Sequence, residues 1–124
     1  MKSNRPVNRD VTKYRFPLTA IISILHRVSG MVLFLALPWL LYLLAGSLAS
    51  EARFFEIQSQ LSQPLYKFLI WAILAAVSFH GVAGFRHMIM DLGFAESLKA
   101  GKIGALITVL ISGFLMILVG VWLW

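Results

Sequence analysis

The sequence predicts an all-α membrane protein of three transmembrane helices, and three observations lead there. Hydrophobic residues make up 60% of the 124 and charged residues only 13%, against roughly 25% charged in soluble proteins. Three long runs carry no charge at all. The basic residues that give the net charge of +6 gather outside those runs, five of the eleven within the first fifteen positions (Lys2, Arg5, Arg9, Lys13, Arg15). A lone soluble globule of this length has too much surface to hide so much apolar side chain, so the excess faces lipid or a partner. The uneven spread of charge argues for a membrane topology and against a nucleic-acid surface.

The charge-free runs extend from Val28 to Ser50, from Phe68 to Phe85 and from Ile103 to Trp124. Each approaches the roughly 30 Å of bilayer hydrocarbon at about 1.5 Å per residue, the second with help from snorkelling flanks. With those flanks the spans fall at about 23–50, 64–91 and 103–124, after a basic segment at 1–22, all within one membrane domain. The first run is too long for a secretory signal and lacks its cleavage site. Pro38 in its middle should bend it, which membrane helices tolerate when neighbours satisfy the freed carbonyl. The connections run from Glu51 to Ser62 and from Asp91 to Lys102.

The basic flanks set the orientation. The amino-terminal segment, with Arg27, and the second connection, with Arg86, Lys99 and Lys102, outweigh the first connection, which has Arg53 and, at its edge, Lys67. The amino terminus is therefore expected in the cytoplasm and the carboxyl terminus in the periplasm. Tyr66, Trp71, Trp122 and Trp124 then fall near the outer interface, where amphipathic rings are favoured, while Trp39 and Tyr42 lie deeper.

The chain has no cysteine, which excludes disulfides, thiolate metal sites and iron-sulfur ligation. Ionisable residues inside spans are costly and therefore stand out. His80, Gly84, His87 and Asp91 share one face of the second span, with Arg86 beside them, and Ser23, His26, Arg27 and Gly30 share one face of the first. Both sets fall toward the cytoplasmic side, with His80 roughly 16 Å above Asp91 along the helix.

An imidazole at the depth of His80, with Gly81, Ala83 and Gly84 around it, has the neighbours that a flat macrocycle needs. The plainer reading is a neutral histidine bonded to a carbonyl on the next helix, with glycines serving helix packing. His80 and His87 cannot both ligate one haem iron, because they sit on one face about 10.5 Å apart by helical rise, and axial ligands must approach from opposite sides. A second ligand must come from another helix. His26 is the only internal candidate and lies nearer the interface, which favours a histidine of a different chain. Arg27 and Ser23 could donate to a quinone carbonyl as it gains negative charge, and Arg27, His26, Arg86 or His87 could hold haem propionates. Their plainer roles are a topology anchor for Arg27 and a back-bonded hydroxyl for Ser23. Asp91 reads as an interfacial residue that pairs with Arg86 or another basic group, and Met88 and Met90 read as packing.

Two ordered motifs add to this. Arg5-Pro6 followed by Ser23-Ile24-Leu25-His26-Arg27-Val28-Ser29-Gly30 resembles the amino-terminal signature of the cytochrome b membrane-anchor subunits of succinate dehydrogenase. His80-Gly81-Val82-Ala83-Gly84-Phe85-Arg86-His87-Met88-Ile89-Met90-Asp91-Leu92-Gly93 resembles their second signature, departing at Phe85, where an aliphatic residue is more usual. The resemblance covers essentially the whole chain.

It implies half of a heterodimeric helical bundle. His80 would be one axial ligand of a haem b, with its iron shared with a second, smaller membrane-anchor subunit that supplies the other. Ser23 and Arg27 would contribute to a ubiquinone site, and His26 and His87 would neighbour the propionates. The partners implied are that second anchor, an iron-sulfur subunit, a flavoprotein subunit, ubiquinone and membrane lipid, with no nucleic acid. On this reading the chain is not an enzyme by itself but a non-flavin subunit of a succinate:ubiquinone oxidoreductase. The absence of an Arg-rich, Ser-rich presequence favours a bacterial inner membrane. A haem-free or fumarate-reductase-type anchor, and a small transporter or channel subunit, are the alternatives.

Overall fold

The computed structural model describes residues 15–95 and 97–124. Lys2, Arg5, Arg9 and Lys13, and with them the Arg5-Pro6 part of the first motif, lie outside the described residues. Regular structure among the described residues is entirely helical: α1 (Leu18–Ala49), α2 (Glu51–Leu61), α3 (Pro64–Asp91) and α4 (Leu98–Leu123). Three of them, α1, α3 and α4, are long and apolar enough to cross a membrane. α1 runs through Pro38 as one continuous helix.

The first connection carries a helix of its own. Glu51 to Leu61 form a helix because Ser50 caps it, its Oγ accepting the Arg53 N–H at 3.2 Å, and because Glu51 places negative charge in the first turn. Arg53 and Glu56 pair one turn apart at 2.7 Å. The helix folds back on α1. Arg53 Nη2 donates to the Tyr42 hydroxyl at 2.9 Å, and Ile57 is buried beside Gly46, where an added Cβ would lie 2.7 Å from Ile57 Cδ1. Tyr42, read as a deep aromatic, is thus the hydroxyl to which α2 is tied.

α3 ends in a Schellman turn. Gly93 N–H donates to Met90 O and Phe94 N–H to Ile89 O, with Gly93 at φ +84°, a conformation that side chains resist. Ser97 then caps α4 by accepting the Ala100 N–H at 3.2 Å.

α3 lies against both α1 and α4. The three meet at Ile22, Ala83 and Ala105, with Phe79 packed beside them. α4 presents Gly101, Ala105, Thr108 and Ser112 as its buried stripe, small side chains that let helix backbones approach where apolar burial gives no drive. Trp71 Nε1 donates to Met116 O at 3.1 Å, and its ring lies over Gly120. This aromatic, expected near the outer interface, clamps α3 to α4. Large side chains such as Phe34, Leu35 and Trp122 remain about three-quarters exposed, so most of the apolar surface is left for lipid or other chains.

Because the Trp71 bond is interhelical, Trp71→Phe should lower the chain's stability in bicelles by about 0.6 kcal/mol. Trp71→Ala, which also removes the ring from Gly120, should cost a multiple of that. Denaturant unfolding of the two variants beside the wild type checks both.

Candidate functional site

The three histidines of the chain converge where α1 meets α3. The His26 and His80 rings stack with centroids 4.2 Å apart and planes within 15° of parallel. His87 lies on the other side of His26, its centroid 5.1 Å away and tilted by 50°. Each helix makes room for the other's imidazole with a glycine. A Cβ on Gly30 of α1 would lie 3.1 Å from His80 Cε1, and one on Gly84 of α3 would lie 3.2 Å from His26 Nε2. That revises the expected role of the small residues around His80. Gly84 accommodates His26, Ala83 is sealed in the three-helix contact, and only Gly81 has open space where its Cβ would be.

The hydrogen bonds fix the His80 ring. Ser29, itself buried, donates its hydroxyl hydrogen to His26 O at 2.8 Å. His80 Nδ1 sits 3.1 Å from that same Oγ and 3.2 Å from His26 O. A carbonyl only accepts, and the hydroxyl has already directed its one hydrogen at it, so both neighbours offer Nδ1 a lone pair. Nδ1 therefore carries the proton, and Nε2 keeps its lone pair. Among the described residues Nε2 of His80 has no hydrogen-bond partner, and unlike the buried, unpartnered Nε2 of His26 it is not sealed inside the chain. Sequence reasoning quoted Ser29 within a motif without assigning it a role. Its signal was the i+3 spacing from His26, but the register of α1 on α3 was needed to use it.

On the lipid-facing side of this contact, an open groove of about 490 Å³ is lined by Arg27, Gly30, Met31, Phe34 and Leu35, one face of α1 by spacing. It has a cation at one end, apolar walls beyond, and in its floor the glycine that touches His80. Ser23 stands half-buried one turn before Arg27, and neither has a hydrogen-bond partner among the described residues. A larger cavity, about 620 Å³, lies between α2 and the ends of α1 and α4 and contains no histidine.

Arg86 does not join the cluster. It turns to α4, buried, with Nη2 donating to Gly101 O at 3.3 Å. Asp91 is exposed and makes no ion pair with it, so the expected Arg86–Asp91 pairing does not form. Met88 is exposed on the outer face of α3, and Met90 lines a cavity between α3 and α4.

A bundle of three membrane-length helices with an oriented imidazole open on one edge is an integral-membrane subunit with a polar site at its helix contact. The three imidazoles lie ring against ring, and among the described residues no group of three His, Asp or Glu side chains is arranged to hold a metal ion. The chain belongs to the succinate dehydrogenase/fumarate reductase transmembrane subunits, whose family pattern matches residues 1–122. It is 46% identical, over the full length of both chains, to a succinate dehydrogenase cytochrome b556 subunit of Coxiella burnetii. It is also 33% identical to the cytochrome b560 subunit of Marchantia polymorpha, covering 95% of this chain and 90% of that one. The b560 subunit of Reclinomonas americana is 31% identical over 94% of this chain and 79% of its own. The chain is accordingly a succinate dehydrogenase membrane subunit of the cytochrome b kind.

The glycine-for-imidazole exchange predicts that Gly84→Leu parts α1 from α3 and exposes His26. Diethylpyrocarbonate should then modify that imidazole faster in membranes. Gly81→Leu, at the neighbouring glycine with open space, should leave the rate unchanged.

Proposed function

We propose that the chain provides one side of a haem b site and part of a ubiquinone-reduction site in electron transfer from succinate to quinone. The observation that carries this is the pair of acceptors at His80 Nδ1. A metal-ligating imidazole needs its other ring nitrogen held by an acceptor, which fixes the tautomer and raises the basicity of the ligating atom. Ser29 Oγ and His26 O supply that hold.

The residues present fit a haem. His80 Nε2 would bind the iron, and Met31, Phe34 and Leu35 of the groove beyond Gly30 offer apolar wall for a macrocycle edge. Arg27, at the end of the same groove, would hold a propionate carboxylate through charge-assisted hydrogen bonds, with His87 a further candidate beside the His26–His80 stack. The haem, when bound, takes up and releases one electron at a time. His26, whose ring is stacked flat on His80, would not be free to hold the same group. The second ligand would come from the second, smaller anchor subunit, as the resemblance implies. That requirement supports a heterodimeric bundle.

Arg27 and Ser23 would do the work at the quinone. Both are donors one turn apart, without competing partners among the described residues. They would hold a quinone carbonyl oxygen and favour it as negative charge accumulates there, while protons arrive from the adjacent aqueous face. The basic flanks support a cytoplasmic amino terminus, which puts that site on the cytoplasmic side of a bacterial inner membrane, beside the iron-sulfur and flavoprotein subunits. With no cysteine in the chain, the clusters belong to those partners.

In the purified complex His80→Ala should abolish the low-spin b-type spectrum while the chain still inserts; an unchanged spectrum would refute the ligand role. Ser29→Ala should shift the haem midpoint potential upward by weakening the hold on Nδ1, and Ser29→Thr should restore it. Arg27→Ala should cut quinone reduction about 10- to 100-fold and spare succinate oxidation by a soluble acceptor. Equal loss in both assays would indicate misassembly.

A further inference from the structure

Arg86 carries a permanent charge in a place that gives it almost nothing to pair with. Its side chain is 92% buried, being 8% exposed. One Nη2 hydrogen bond reaches Gly101 O at a long 3.3 Å, and Nε is buried with no partner. The only ion pair among the described residues joins Arg53 to Glu56, at the far end of the bundle. A guanidinium cannot escape this position by losing its proton, and a buried charge without a counter-charge is strongly unfavourable.

The chain nevertheless makes room for it. Gly104 of α4 has no side chain where a Cβ would stand 3.3 Å from Arg86 Nε. Arg86 lines a cavity of about 280 Å³ between α3 and α4 whose other walls are apolar, among them Val82, Phe85, Ile89, Ile107 and Ile111. Phe85, Ile107 and Ile111 are also part of the outward apolar surface, so the cavity opens where lipid lies. It sits between the last turns of α3 and the first turns of α4, the end of the bundle that also carries exposed Lys99 and Lys102. Arg86 is six residues from His80, about a third of a turn around α3 from the histidine face, so this site is separate from the cluster and does not rest on the haem and quinone proposal.

We propose that this cavity binds one anionic phospholipid, its phosphate on the Arg86 guanidinium and an acyl chain against the apolar walls of α3 and α4. A single buried cation at the polar end of an apolar cleft calls for an amphiphile carrying one anion. The bilayer supplies that chemistry at high local concentration, and exposed lysines at the same end add attraction for an anionic headgroup. A zwitterionic lipid would bring an ammonium to an end of the bundle where Arg86, Lys99 and Lys102 outnumber the exposed Asp91, and is the poorer fit.

The test uses the whole complex in nanodiscs of phosphatidylcholine with and without phosphatidylglycerol, read by native mass spectrometry and by thermal midpoint. The wild type should keep phosphatidylglycerol through detergent washing. It should also be stabilised by that lipid, and not by phosphatidylcholine or by inorganic phosphate at equal concentration. Arg86→Gln should weaken phosphatidylglycerol retention at least tenfold. Ile107→Trp, which fills the cavity and leaves the guanidinium in place, should do the same, so that failure of the first variant to assemble does not decide the matter. Equal retention by wild type and both variants overturns the proposal, as does a stabilisation reproduced by inorganic phosphate alone. A carboxylate of a partner subunit on Arg86 would leave lipid retention unchanged in Arg86→Gln while loosening subunit assembly, and that result also overturns it.

Discussion

Two imidazoles stacked 4.2 Å apart set how α1 and α3 lie on one another. A glycine stands opposite each ring, Gly30 for His80 and Gly84 for His26, where an added Cβ would lie 3.1 and 3.2 Å from a ring atom and the ring would have to yield. In lipid, where apolar burial drives helices together only weakly, this interlock supplies both close packing and the few interhelical hydrogen bonds on that face. The Ser29, His26 and His80 bonds follow from it, since Nδ1 reaches the α1 carbonyl only when the helices are this close. The same geometry that fastens the helices fixes a tautomer.

α3 works as a hinge pin with different chemistry on two sides. Its His80 and His87 face meets α1, and its Arg86 face meets the small-residue stripe of α4. Along the α4 contact the polar groups mostly satisfy themselves or bridge weakly. Thr108 bonds back to Gly104 O, Trp71 reaches Met116 O, and Arg86 reaches Gly101 O. Such bonds hold a bundle without needing a large buried core, which accords with how few side chains are fully enclosed. Outward apolar faces are then a consequence of the solvent and not a defect of packing.

Much of this was legible in the sequence. The three spans follow from charge-free runs because charge in hydrocarbon is costly at any register. The two polar faces follow from helical spacing alone. α2 was not legible as a span, since Glu51, Arg53 and Glu56 interrupt its apolar residues, but its helical signals were present: Ser50 as a cap and an i,i+3 ion pair. Arg86 was grouped with the histidines by adjacency, although six residues from His80 place it about 120° away around the helix. The exchange of glycines and the Ser29 bond depend on which turn of α1 meets which turn of α3, and no single-chain periodicity contains that register.

The division of labour with other subunits follows from the open edge. His80 is held on its Nδ1 side by its own chain, and all three histidines of the chain are accounted for in one stack on one flank. On the proposed reading, His80 would be the one histidine of this chain to hold the haem, since His26 and His87 are taken up in ring contacts beside it. The apolar groove running from Arg27 past Phe34 and Leu35 lies open on the same flank, so on the proposed reading a partner that shares the haem would also find apolar surface to cover there. An imidazole already held by Ser29 and His26 has little rotational freedom left to lose, so on that reading His80 would bind the group at a small ordering cost.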